Sequence, residues 1–521
     1  MKYRNLSNGK KLMGYAVFTI AVLAIVYVRH GYVFGSGDQS ETMPYILWLN
    51  NHSLYPSDLF IQNLIQHPFN ERRFFVEFLR FFSNHLSLNV FIIHALCSAL
   101  LFCGIFVYAR KKFSNFSHTW LAILVPLMIF YIFNTGSNEL YDNALTPSYI
   151  SNTLVIWVFV LLQQHKILAA ISLLIMATFI QPLIGIQIAL IVFLSALSYQ
   201  LSAISFSRRL KADSSKLIAG FILYSCTAGV YVFSLLHQIS ASSDSKLAMQ
   251  IIEMRQAHHY FPHYFNIFGA LFISICATAI FILGNKREKI WSILIVAGCI
   301  VYTFGVYVLK NNFILNTQWF RITIWVKLFG TLIIAQQIFK HLEQYDFKFF
   351  FKEENFKLAI NVIGLSSLIL LISRISIFGG INYNFPFFKN NDPVIDISAH
   401  AKNCTPENAL FLLPPDFDAF RFYSVRNNFI DYKALLHDNS FFLEWQKRMK
   451  NIYNVGVENK EKSFKLMLVA KNNFNALSDS TLSQLCAQNH VGYIIRDKAH
   501  PIHSEFNKID STANYAIYKL L

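Results

Sequence analysis

The sequence predicts a polytopic α-helical membrane protein, with about eleven transmembrane helices and a C-terminal extracytoplasmic α/β domain. Three observations predict it. The 521 residues are 54% hydrophobic and 16% aromatic but only 14% charged, against roughly 45–50% apolar and about 25% charged in soluble domains. Lys and Arg gather in short clusters between apolar runs, and after about Gly380 the sequence turns polar and Asn-rich, with only short apolar stretches.

Lys2, Arg4, Lys10 and Lys11 precede an apolar run from Leu12 to about Val28. It is long enough to span and lacks a small-x-small cleavage site, which predicts an uncleaved anchor with the N-terminus cytoplasmic. Further spans are expected near 87–109, 119–134, 150–164, 167–180, 183–203, 217–236, 264–284, 289–309, 319–339 and 357–379. The basic groups Arg110–Lys112, Lys166, Arg208–Lys216, Lys286–Lys289 and Lys340–Lys352 then fall on one side, while the loops near 134–150 and 180–183 hold no Lys or Arg. This is the positive-inside bias, and it accounts for the net charge of +16 without nucleic acid as a partner. Within 167–203, Pro182 and Gly185 interrupt the run, so the chain turns back, kinks or re-enters there.

An odd number of crossings divides the chain into a transmembrane domain, 1–380, and an extracytoplasmic domain, 381–521. In the latter, ALFLLPP, NNFIDYK, VGYIIRD and YAIYKLL read as strands, and PVIDISAHAKN, FFLEWQKRMKNIY and STLSQLCAQN as helices. Five cysteines lie in apolar runs; Cys404 and Cys486 do not, and in an oxidising compartment they could pair.

The stretch 32–86 forms the first extracytoplasmic loop and its interfacial helices. In RRFFVEFLRFFSNHL, Phe74, Phe75, Phe78, Leu79 and Phe82 recur at helical steps, with Arg72, Arg73, Glu77 and Arg80 opposite. Ahead of it, FGSGDQSE holds Asp38 and Glu41. A carboxylate in a Gly-Ser-Gly context can act as a general base or hold a divalent cation; a loop acid or helix N-cap fits the same spacing. Glu139 and Asp142 form a second acidic pair on the same side, suited to a metal or a sugar. MRQAHHYFPHYF brings Arg255, His258, His259 and His263 among aromatic residues, a pattern for phosphate and sugar or for interface anchoring. Zinc spacing is absent. Arg321 lies at the edge of a span and Lys327 two turns inside it, where a charge implies a partner or a cavity; Arg374 reads as an interface anchor. No P-loop, dinucleotide fingerprint or Ser-His-Asp spacing is present.

This order of parts resembles the GT-C superfamily of integral membrane glycosyltransferases. More narrowly, GDQSETMPYILWLNNHSLYPSDLFIQN, FIQPLIGIQ, RQAHHYFPHYF, TQWFRITIWVK and PPDFDAFRFYSVRNNFIDYKA resemble blocks in a poorly characterised group of bacterial membrane proteins. The resemblance implies Asp38 as the catalytic base, a polyprenyl-phosphate-linked sugar as donor, and a glycan, lipid or protein acceptor at the outer face of the inner (plasma) membrane. Glu41, Glu139, Asp142, Arg255, His258, His259, Arg321 and Lys327 are the expected substrate-binding residues, the basic ones steadying the departing lipid phosphate. Many relatives carry two adjacent acids in the first loop, whereas Gln39, Ser40 and Glu41 follow Asp38 here; a metal-free inverting reaction is compatible with one carboxylate. Arg421 and Arg426 are expected on a polar contact surface of the C-terminal domain. Two other classes remain: a transporter or flippase using Pro182 and Lys327 as its path, and a non-enzymatic envelope assembly protein.

Overall fold

The computed structural model describes residues 8–113, 119, 122–123, 134–202, 208–240, 245–344, 384–387 and 391–521. The span expected at 357–379, almost all of that at 119–134, and Lys2, Arg4, Lys348, Lys352 and Arg374 lie outside the described residues.

Apolar sequence without interior breakers forms the long helices. Ser83–Arg110, Ser215–Leu236, Lys286–Tyr307 and the stretch Asn312–His341, broken at left-handed Gln318, are long and apolar enough to cross a membrane; Pro147–Gln163, Ile167–Ile180 and Ile267–Leu283 are apolar but shorter, and the apolar helices Asn8–His30 and Pro182–Ser202 run 23 and 21 residues. Phe221, Phe233, Phe268, Phe281 and Ile300 point away from the protein and are exposed. An apolar belt of this kind is stable only against lipid. The 167–203 ambiguity resolves as a turn. A Cβ on Gly185 would lie 2.2 Å from Thr178 Oγ1, a proximity that a continuing helix could not give to residues seven apart. Gln181, extended at φ −141°, makes the reversal, and Pro182 starts the next helix where its missing N–H costs nothing.

The two ends of the bundle differ. At one, Lys112 pairs with buried Glu288, which also accepts from Tyr108 at 2.6 Å and closes a capping box on Asn285. At the other lie the loop after the first helix, the turns near 134–146, 255–264 and 311–322, and the C-terminal domain.

That domain holds a five-stranded sheet of β1 (Leu410–Leu412), β2 (Asn427–Asn428), β3 (Tyr493–Asp497), β4 (Phe506–Ser511) and β5 (Tyr515–Leu520), in the order β2-β1-β3-β5-β4. β1 runs parallel to β2 and β3, and β5 is antiparallel to β3 and β4. Ile397, Ala401, Phe411, Leu413, Phe417, Phe420, Ile495 and Ile517 form a core of their own. Each stretch read as a strand or helix contains one. β4 and helix Ser463–Asn475 went unread, because FNKIDS alternates polar residues along an edge and the helix lacks an N-capping side chain. Cys404 is exposed, Cys486 is buried, and the two are free thiols.

Asp58, the N-cap of interfacial helix Leu59–Gln66, fastens the domain down. Its Oδ2 takes Arg421 Nε at 2.6 Å and the amide of Asn428 at 3.0 Å, while Arg421 Nη2 reaches Asp431 at 2.6 Å. Tyr55 donates to the Arg421 carbonyl at 2.9 Å and Tyr423 to that of Phe34 at 2.9 Å. Arg421 and Arg426 are therefore not a contact surface: they are 2% and 7% exposed, and Arg426 is spent on the carbonyls of Lys402 and Thr405. The amphipathic reading of 72–82 holds in outline. Phe75, Val76 and Leu79 are buried, Arg73 pairs with Glu77, and Phe81 stands 87% exposed, but Arg72 turns inward to Glu41.

Candidate active site

Glycine brings Asp38 to the surface of a crowded junction. Gly35 has φ +75°, where a side chain is strained, and a Cβ there would lie 2.7 Å from the Tyr423 ring and 2.8 Å from that of Phe422. Its amide donates to Gln39 Oε1 at 2.8 Å, and Gln39 Nε2 reaches the carbonyl of Leu145. The segment is thus held between the C-terminal domain and the second loop. Gly37 donates to Asp418 at 2.8 Å and opens the short 3₁₀ turn Gly37–Glu41. Asp38 stands on that turn with its side chain 65% exposed, and Lys433 of the C-terminal domain reaches its Oδ1 at 2.6 Å.

Lys433 holds the Asp38 carboxyl well below the usual range, and Arg321 adds to its field. Asp142 goes the other way. Burial and the nearby Asp38 charge push it up to about 6, although Ala144 N–H and the Thr146 hydroxyl donate to it at 3.1 and 3.0 Å. Two carboxylates in electrostatic reach of one another therefore differ in proton affinity, the condition under which one can hold a proton while the other stays ionised. Asp418, half-buried beside Gly37, is likewise raised to about 6, chiefly by desolvation.

The wall opposite is aromatic and imidazole. His258 Nδ1 lies 3.0 Å from Ser463 Oγ, and His259 Nδ1 lies 3.1 Å from the carbonyl of Gly136. Burial, aided by neighbouring cations, lowers His258 to about 4 and His259 well below its usual value. Both rings are neutral at physiological pH and act as hydrogen-bonding groups rather than cations. Arg321 Nη1 donates to Gln318 Oε1 at 3.0 Å, and Gln318 donates to Tyr260 at 2.6 Å. Arg321 Nε is buried with no hydrogen-bond partner among the described residues.

Of the residues expected from sequence, Asp38, Asp142, His258, His259 and Arg321 gather here. The others are used elsewhere. Glu41 pairs with Arg72. Arg255 donates to the carbonyls of Tyr432 and Lys433 and lies over the Tyr432 ring. Glu139 and Lys327 are 8% and 4% exposed and pair with each other at 2.9 Å, so neither opens to a substrate. Lys433 and Asp418 were missed. Their signal was present: PPDFDAFRFYSVRNNFIDYKA packs six charged side chains into an aromatic block. Among the described residues no three His, Cys, Asp or Glu side chains gather as a metal ion requires.

The depressed His258 gives a pH prediction. A group with a folded pKa near 4 and an unfolded pKa of about 6.5 binds its proton first in the unfolded chain, so stability is lost as pH falls through that window. The thermal midpoint of the wild type is expected to fall more between pH 7 and 4.5 than that of His258→Asn, which keeps a nitrogen near Ser463. Asp142 and Asp418 act oppositely below pH 6, but equally in both proteins. Parallel curves would contradict the assignment.

Residues 393–452 match a domain of unknown function, DUF6798. The match spans the segment that carries Arg421, Asp431 and Lys433. None of the curated proteins matches the chain. Among solved structures, the chain is similar to the Archaeoglobus fulgidus oligosaccharyltransferase tethered to an acceptor peptide, with 11% identity, a TM-score of 0.46, and coverage of 93% of this chain and 69% of that one. A second structure of that enzyme, in complex with zinc and sulfate, gives 13% identity, a TM-score of 0.44, and coverage of 92% and 67%.

Proposed function

We propose that this chain is a glycosyltransferase that moves a sugar from a polyprenyl-phosphate-linked donor to an acceptor hydroxyl at the extracytoplasmic face of the membrane. One observation carries the reading: an accessible carboxylate, Asp38, set where apolar helices, short interfacial helices and a polar domain converge. In this reading the chain lies in the inner (plasma) membrane with about eleven crossings, residues 1–380 forming the membrane domain and 381–521 the external one.

The acceptor oxygen attacks the anomeric carbon while Asp38 takes the hydroxyl proton. The bond from that carbon to the phosphate oxygen breaks, and the phosphate leaves with the electron pair. Arg321 faces the charge that develops there; neutral His258 donates to the sugar or phosphate from Nε2, whereas His259, whose Nδ1–H is given to the Gly136 carbonyl, offers Nε2 as an acceptor for a sugar hydroxyl. Asp142, with its higher proton affinity, orients a donor or acceptor hydroxyl. The transport reading loses its charged path, because Lys327 is engaged by Glu139.

The test is mass spectrometry of envelope glycans and polyprenyl lipids from a deletion strain complemented with wild type or Asp38→Asn at equal membrane levels. The Asp38→Asn strain is expected to lack one sugar modification and to accumulate its lipid-linked donor. A profile identical to wild type would remove Asp38 from the chemistry.

A further inference from the structure

Asp38 cannot serve as a base while an ammonium sits 2.6 Å from it. We propose that Lys433 is a ligand of the substrate phosphate, and that without that phosphate the same ammonium latches Asp38. The inference rests on the lipid-phosphate donor of the preceding section and deepens it.

Geometry separates what is fixed in Lys433 from what can move. Its backbone is held from both sides. Arg255 donates to the carbonyls of Tyr432 and Lys433, Asp431 accepts from the Ala434 amide, and Trp445 Nε1 donates to the Asp431 carbonyl at 3.0 Å. Asp431 is itself held by Arg421. Only the four-carbon stem is free to swing, and lysine presents a rotatable point charge at its end. The pair it makes with Asp38 is open to solvent, the side chains being 30% and 65% exposed, so an entering anion competes with the carboxylate on favourable terms.

Nearby cations are otherwise committed. Arg72 is shared by Glu41 and Glu71, Arg255 by two carbonyls, Arg421 by two aspartates, and the two histidines are neutral. Lys433 and Arg321 remain to meet a phosphate beside Asp38. When the phosphate takes the ammonium, Asp38 is released at the moment a donor is in place. No covalent bond changes in this exchange.

The test uses the full chain in phosphatidylcholine nanodiscs, titrated calorimetrically with farnesyl phosphate, farnesol and inorganic phosphate. Lys433→Met is expected to weaken farnesyl phosphate binding at least tenfold and leave farnesol unchanged, Lys433→Arg to restore most of it, and Asp38→Asn to tighten it severalfold. A labelling arm needs no substitution: an amine-reactive reagent read by mass spectrometry should modify Lys433 more slowly once farnesyl phosphate is bound. Equal farnesyl phosphate affinity in wild type and Lys433→Met, with both preferring it to farnesol, overturns the role of Lys433 and leaves the lipid-phosphate donor standing. A wild type that binds farnesyl phosphate no better than farnesol overturns both. Lys433-dependent binding of inorganic phosphate with equal affinity supports the latch and moves its ligand from lipid to free anion.

Discussion

Arg421→Met is expected to destabilise the chain by about 3–5 kcal/mol, the cost of removing one partner from a buried charge network. Arg421 is 2% exposed and lies between Asp58 and Asp431, each 2.6 Å away. Without the guanidinium, two carboxylates remain inside. Asp58 keeps the amides of Phe60, Ile61 and Asn428, and Asp431 keeps that of Ala434, but none of these carries a full positive charge. Because the network joins the interfacial helix to the C-terminal domain, its loss also loosens the segment that carries Lys433. Thermal unfolding in detergent measures the effect. A surface arginine would change stability by no more than about 0.5 kcal/mol, and that result would contradict the assignment.

The pair Glu139–Lys327 gives the second large effect. Both residues are buried and lie 2.9 Å apart, with Asn134 Nδ2 also donating to Glu139 at 2.9 Å. Either Glu139→Gln or Lys327→Met is expected to cost about 3–5 kcal/mol, because each leaves the other charge in a medium that solvates it poorly. The double variant is expected to be well short of the sum. A double-mutant cycle checks this, and strict additivity would show that the two residues are not coupled.

How much of this was legible in the sequence follows from which physical signals are local. The apolar runs and their flanking cations are local, and among the described residues the helices stand where they were read. The special backbone beside Asp38 was legible from its Gly-Ser-Gly context, and Gly35 and Gly37 do take positive φ there. The contact of Lys433 was not, since its partner Asp38 lies 395 positions away and nothing in NNFIDYK announces it. Glu139 and Asp142 read as equivalent acids, three apart in a loop without periodicity. One turns into the helices to meet Lys327 and the other accepts from Ala144 and Thr146 of its own loop, within the field of Asp38, a distinction that only packing makes. Arg421 and Arg426 read as surface residues because Arg is most often exposed, and the carboxylate and carbonyl partners that bury them come from other elements.

In the proposed reaction Asp38 activates an acceptor against a lipid-linked sugar. Its most direct test is to incubate the polyprenyl lipid extract of a deletion strain with purified protein in nanodiscs, supply envelope acceptor material, and follow the lipids by mass spectrometry. The account predicts that wild type consumes one glycosylated lipid and releases its polyprenyl phosphate, and that Asp38→Asn does so about 10²–10⁴-fold more slowly, the range for loss of a general base. Equal consumption by both proteins would contradict it, as would a lipid profile that neither protein changes.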